Sequence, residues 1–474
     1  MTLIKSLLLG SAAGLVAVSA AQAADLPTKK GPVAAEYVRV CSITVAGAPV
    51  VGFVLPGSDT CFKISGYITG QIEGGNLNNS YGTSVAPGGS PHALTGANTS
   101  TQAVGGTFGR DSFGYTTRFN LTLDAVSNTA YGPLVAHGEY QFNHGAGFDN
   151  TGAGGSDGGL NRAYVTWAGL TAGKIDSFFS FTGGGLAWAN FFSPDRKGFN
   201  QPDVLAYTAS FGGGFAATIS IEDPAGGGTA NPATGGANVG YLGSATQGGM
   251  RVPDIVGAIS VHQAWGAAQI SGVAHNVRAV STQGDGSTID KWGWAVDAGV
   301  SFNIPNMAGS MIGITGAWSR NAVLYSGIPD GMWGDTDQAI NGNGQGMALG
   351  DAFANGNGTW ATPEAWTITG WAQFTVSPQV TLGVEGSYGQ LNWTGQLPIS
   401  MLSNSKSFIV GGIAHYDPVK NLDFEFELLY QDTTTAQPTG WTGVGCTGAV
   451  GGCTANWKSK SDGFAARFEV TRSF

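Results

Sequence analysis

From Phe113 the chain alternates. Phe113, Tyr115, Phe119, Leu121 and Leu123 share one parity, and Gly114, Thr116, Arg118, Asn120, Thr122 and Asp124 share the other. A period of two belongs to a strand, whose successive side chains point to opposite faces. The pattern recurs where Trp292, Trp294, Val296, Ala298, Val300 and Phe302 form one apolar row. It recurs again where Phe424, Phe426, Leu428 and Tyr430 oppose Asp423, Glu425 and Glu427. Segments of this kind begin near Phe62, Ser112, Gly132, Leu160, Thr171, Asp203, Phe215, Asp254, Ala267, Lys291, Gly309, Glu364, Gln379, Lys406, Asn421 and Asp462, sixteen in all. Between them no helical period stands out, so the fold class is all-β.

The connections alternate in length. Short turns are expected at residues 128–130, 212–214, 265–266, 304–306, 377–378 and 418–420. Long glycine-rich loops fall at 76–111, 224–253, 321–363 and 432–461. A soluble sandwich has no reason to alternate in this way. A transmembrane barrel does, because its strands are joined by short turns on one side and long loops on the other. Tyr131, Trp167, Tyr207, Trp265, Trp318, Tyr388 and Tyr416 stand near strand ends, where interfacial aromatic girdles belong.

Composition agrees with that reading. Charged residues make up 11% of the chain and glycine accounts for 78 of 474 positions, against roughly 25% and ~7% in ordinary soluble domains. The N-terminus reads as a secretory signal: Lys5, an uncharged and mostly apolar stretch to Ser19, and an Ala21-Gln22-Ala23 cleavage site. Residues 1–23 are therefore expected to be removed, which takes away one positive charge from a formal balance of −10. An acidic chain offers no basic footprint for nucleic acid. No other apolar run is long enough for a membrane helix, and in lipid the remaining way to pair every backbone group is a closed barrel. Residues 62–474 are thus expected to form a 16-stranded antiparallel transmembrane β-barrel in the outer membrane of a Gram-negative cell, with residues 24–61 as an N-terminal segment. Sixteen strands leave an aqueous lumen.

The four cysteines are Cys41, Cys61, Cys446 and Cys453. An even number in an exported chain suggests disulfides, and local pairing would join Cys41 to Cys61 and Cys446 to Cys453. Their spacing does not suit zinc, and the six histidines are scattered, so neither a metal nor a cofactor is expected. Catalytic motifs are weak. Gly154-Gly-Ser-Asp-Gly158 matches a nucleophile elbow by letter but lies in a glycine-rich loop. Gly356 to Ala361 resembles a dinucleotide fingerprint but opens no helix. No catalytic residue is assigned, and an enzyme is not expected.

A diffusion pore works through the residues that line it. Apolar faces must meet lipid, so the opposite faces meet water. That places Lys63, Arg118, Arg162, Lys174 and Arg467 inside, on strands that neighbour one another once the barrel closes. These bases would form a positive stripe, or pair with inward acids such as Glu73, Glu139, Asp176 and Glu469, or both. The segment over residues 180–202 follows the fifth strand, which reads from Thr171 to Phe179. It carries Phe181, Trp188, Phe191, Phe192 and Phe199. An exposed loop has little use for five aromatics, whereas a loop folded into the lumen would bury them and bring Asp195, Arg196 and Lys197 to a constriction. Two other readings are a loop that contacts a second copy and a plain surface loop. Ion preference stays open. The net charge and Asp297, Glu385, Asp423, Glu425 and Glu427 favour cations, and the basic stripe favours anions.

The mature start at Ala24-Asp-Leu-Pro-Thr-Lys-Lys30, the stretches Glu36 to Ser42 and Pro56 to Tyr67, and the end from Ala466 to Phe474 resemble the alphaproteobacterial outer-membrane porins of the Brucella and rhizobial type. Leu205 to Phe211 and Ala217 to Pro224 are similar to that family's central strands. The resemblance implies a homotrimer of sixteen-stranded barrels, each with its third outer loop folded inward, passing small hydrophilic solutes and ions by passive diffusion. It also matches Cys41 and Cys61 to a paired N-terminal motif. Lipid and lipopolysaccharide would surround the barrel, and a terminal aromatic, Phe474, would engage the barrel-assembly machinery. One departure is Arg472, where an apolar residue is usual. At the membrane edge an arginine can snorkel at a cost of about 0–1 kcal/mol. The alternatives from other classes are a barrel whose loops act mainly in surface binding or adhesion, and a barrel hydrolase.

Overall fold

A computed structural model of the chain describes residues 39–54, 57–75, 113–147, 156–182, 197, 201–223, 245–328, 351–395, 404–436 and 460–474. The signal segment 1–23, Asp195, Arg196, Cys446 and Cys453 lie outside the described residues.

Among the described residues, sixteen antiparallel strands form one closed ring. They are β1 (Cys61–Gly75), β2 (Phe113–Thr129), β3 (Gly132–Gly147), β4 (Ser156–Trp167), β5 (Leu170–Lys174), β6 (Asp203–Gly212), β7 (Phe215–Glu222), β8 (Asp254–Gln263), β9 (Gly266–Ser281), β10 (Thr288–Asn303), β11 (Met311–Arg320), β12 (Trp360–Ser377), β13 (Val380–Thr394), β14 (Ser405–Val419), β15 (Leu422–Thr435) and β16 (Lys460–Ser473). Each pairs with its sequence neighbours. The ring closes where β16 pairs with β1, with Phe468 opposite Ile72 and Thr471 opposite Thr69. The last residue continues the seam, since Phe474 N donates to Gly66 O at 3.0 Å and Gly66 N donates to Phe474 O at 3.2 Å.

The parity read from the sequence sets the two faces. Ile64, Ile68 and Ile72 of β1, Val296 of β10, and Phe426 and Leu428 of β15 are exposed large hydrophobics. Thr69, Glu73, Asn120, Asp297, Glu425 and Glu427, on the opposite parity of the same sheet, are buried polar residues. A water-soluble sheet would bury the apolar side, and this one exposes it all round. At the short-turn end Tyr131 packs edge-on against Trp167 at 5.6 Å, and Trp265 lies 5.5 Å from Phe302, as interfacial aromatics do.

The turns use residues that tolerate positive φ. Gly212, Gly213 and Gly214 all have φ between 61° and 82°, a region glycine enters without steric cost. A Cβ on Gly214 would overlap the carbonyl of His262 on the next strand pair. Asn421 closes the β14–β15 turn at φ 64°, the left-handed region that asparagine visits most readily.

Three features differ from the sequence reading. The fifth strand leaves the wall after Lys174 instead of running to Phe179, because Ser177 and Phe178 turn inward to the Glu222 carboxylate of β7 at 2.6 and 3.1 Å. A hairpin of Val40–Val45 and Ala48–Val54 precedes the barrel. It extends β1 by pairing Phe53 with Phe62, and the Cys41–Cys61 disulfide ties it there. Closing that loop, with a sequence separation of 20, contributes about 3 kcal/mol in the chain-entropy account. Finally, the connection between β11 and β12, given no role above, contains a short 3-10 turn, Val323–Ser326, whose Tyr325 and Val323 are fully buried.

Lipid contact makes the cost of charge depend on depth. Val296→Arg, at the middle of β10, should lower the unfolding free energy in lipid vesicles by about 2–4 kcal/mol, and Phe302→Arg, at the strand's end, by about 0–1 kcal/mol. Equal costs in urea titrations followed by tryptophan fluorescence would contradict the assigned outward face.

Candidate functional site

The inner wall is a polar network laid on the strand ladder. On its first quarter, Arg162 of β4 donates to Glu139 Oε2 of β3 at 2.9 Å and grips Asp176 with two nitrogens at 3.0–3.1 Å. Asn120 and Asn161 also donate to Glu139, each at 2.7 Å. His137 bonds to Asp124 at 2.7 Å and stacks on Tyr164 at 4.7 Å. Arg118 Nε donates to Asn143 Oδ1 at 2.8 Å, and Lys174 Nζ donates to the carbonyl of Gln201 at 2.9 Å. Lys63 is half-buried on β1, with Asp124 as its register partner on β2. The bases inferred for this wall are thus interleaved with acids. Arg467 lies at the far seam, nearly buried, 3.7 Å from Glu427 and 3.9 Å from Glu469.

The wall on the other side of the seam is more acidic. Glu385, Asp423, Glu425, Glu427 and Glu469 face inward on β13, β15 and β16, with His415 and Arg467 as the basic groups set among them.

After β5, residues 177–182 and Lys197 contact side chains and backbone of other strands. Phe179 is fully buried against Val256, Val273, Ala295, Ala322 and Tyr325, 4.9 Å from the Tyr325 ring. Its carbonyl accepts from Ser271 of β9 at 2.5 Å and from Gln269 at 3.2 Å. The Phe181 ring covers Gly299, where any Cβ would overlap it. Lys197 is completely buried, and its ammonium donates to Thr367 Oγ1 at 2.8 Å and Thr369 Oγ1 at 3.2 Å, both on β12. Thr367 in turn donates to the carbonyl of Ser326. Lys197 therefore links the segment to β12.

Sequence reasoning also missed a clamp. His275 of β9 lies 2.8 Å from Asp254 of β8 and 3.3 Å from Asp351, and Tyr325 donates to Asp254 at 2.6 Å. Asp351 accepts the Val323 N–H at 2.7 Å. Burial, reinforced by the Asp254 charge, pushes the Tyr325 hydroxyl's pKa well up and keeps it a donor. The four groups come from distant parts of the chain, and nothing in the spacing of the lone histidine pointed to them.

A ring whose outside is apolar all round and whose inside is a hydrogen-bonded set of charges defines an outer-membrane channel of the porin class. The chain belongs to the porin subfamily, whose family model matches residues 25–457. It is 30% identical over 405 residues to Porin Omp2b of Brucella canis, covering 81% of this chain and 92% of that protein. It is likewise 30% identical to Porin Omp2b of Brucella melitensis over 405 residues. Among solved structures, the outer membrane channel DcaP of Acinetobacter baumannii superposes with a TM-score of 0.56 at 15% identity, over 89% of this chain and 99% of that one. At that identity the likeness speaks for the fold alone. The protein is an outer-membrane porin, a channel and not an enzyme.

Removing a buried partner exposes the cost of the charge it leaves behind. Arg162→Met would strand Glu139 and Asp176, and should destabilise the folded barrel by about 1.5–3 kcal/mol, the loss expected for charge-assisted hydrogen bonds. A urea midpoint unchanged from the parent chain would show that the triad carries no such energy.

Proposed function

We propose that the protein is a general diffusion porin, working as a homotrimer, and that the segment after β5 folds into the lumen and narrows it. Small hydrophilic solutes and ions pass down their gradients. Width sets the size limit and wall charge sets ion preference. Lys63, Arg118, Arg162, Lys174, Asp176 and Arg467 are wall residues of this passage, and Asp195 and Arg196 belong to the narrowing segment.

One observation carries the reading of the segment. The chain leaves the wall at β5, yet the Lys197 ammonium rests on Thr367 and Thr369 of β12, nearly halfway round the ring. Contacts with Glu222, Ser271 and Gly299 lie in order between those two points. A loop lying over the outside could not reach the inward faces of β7, β9, β10 and β12 in sequence.

The wall's charge supports a weak preference for cations. On the side of β13, β15 and β16 the acids outnumber the bases, and on the side of β2 to β5 the two signs are paired. Deleting residues 186–197 should raise single-channel conductance, and unchanged conductance would rule out the segment as the narrowing. Under a tenfold potassium chloride gradient, the reversal potential should take the sign of potassium permeation. The chloride sign would contradict the assignment of the acidic wall.

A further inference from the structure

Near the short-turn mouth, three side chains of metal-binding type meet on the inner wall. His415 stands near the end of β14, and Asp423 and Glu425 stand near the start of β15. One donor atom from each lies within 4.8 Å of the other two. His415 Nδ1 is 2.8 Å from Asp423 Oδ2 and 3.9 Å from Glu425 Oε2. The ladder pairs His415 with Glu425 directly, so the arrangement is held by backbone hydrogen bonds on a tight hairpin.

The charges around these groups are not balanced. Glu425 is 6% exposed, and its Oε1 has no hydrogen-bond partner among the described residues. Glu427, the next inward residue, is 1% exposed, and neither of its carboxylate oxygens has a hydrogen bond among the described residues. Glu469 faces Glu425 across the β15–β16 ladder. The guanidinium of Arg467, at 3.7 and 3.9 Å, is the cation set between Glu427 and Glu469. Buried carboxylates are tolerated when they are paired or when they coordinate a metal, and the four carboxylates outnumber the two basic groups among them, Arg467 and His415.

We propose that this cluster binds a divalent transition-metal ion. His415, Asp423 and Glu425 are its protein ligands, and the buried charge of Glu427 lies behind them. One imidazole and two carboxylates suit a zinc-like ion, and calcium or magnesium would call for oxygen ligands throughout. Three protein ligands leave the lumen side open to water, so the ion exchanges with the channel's solution. Bound there, it cancels part of the acidic wall and weakens the cation preference.

The probe is zinc ion alone, titrated into the purified, folded, EDTA-washed protein by calorimetry. One saturable site per chain is expected. His415→Gln keeps an N–H donor for Asp423, so it tests ligation without removing that hydrogen bond. It should weaken zinc binding at least tenfold, as should Asp423→Asn, whereas His262→Gln should leave it unchanged. Zinc should also shift the reversal potential toward zero in the parent protein and not in His415→Gln. No saturable binding at submillimolar zinc, or binding of equal strength in His415→Gln, would overturn the proposal.

Discussion

Backbone hydrogen bonding in a medium without water is the constraint on which the whole structure rests. Every N–H and C=O at membrane depth needs a partner, and a sheet with a free edge cannot supply one. The β16–β1 seam, continued by the bonds between Phe474 and Gly66, removes that edge. Once the ring is closed, the period of two decides everything else about a side chain. One parity faces lipid and is apolar, as with Ile68, Val296 and Phe426. The other faces the lumen, as with Thr69, Asp297 and Glu425. The inversion of the soluble pattern follows from closure and not from any single residue.

The inner wall offers pairs of inward polar groups, and chain segments settle on them. Glu222 takes the backbone after β5, Ser271 and Gln269 hold Phe179, and Thr367 and Thr369 hold Lys197. The Asp254–His275–Asp351 set and Tyr325 do the same for the connection between β11 and β12. The contacts bury charge, which is costly unless every partner is in place. That cost makes each contact specific. These segments bond to chosen side chains on the wall and do not merely fill space.

The strands were legible because alternation is local. Phe113 to Asp124 and Trp292 to Phe302 announce their faces within a dozen residues, and alternating loop lengths announce the barrel. The Cys41–Cys61 pair was legible for the same reason. What stayed hidden depends on residues far apart in the chain. The end of β5 at Lys174 is set by Glu222, almost fifty positions on, and local alternation through Phe179 gave no hint of it. Lys197 reads as one of three charges at a constriction, and nothing near it in the chain points to Thr367 and Thr369. His275 looks isolated until Asp254, Tyr325 and Asp351 converge. The connection between β11 and β12 is rich in glycine and polar residues overall. Its buried stretch, Ala322, Val323, Tyr325 and Ile328, is too short to carry a period.

The central claim is that the closed ring encloses a continuous water path. Planar-bilayer recording on the purified, folded protein tests it most directly. Discrete, ohmic conductance steps that grow in proportion to salt concentration are the predicted result. Folded protein that inserts into the bilayer and yields no conductance at any salt concentration would contradict it.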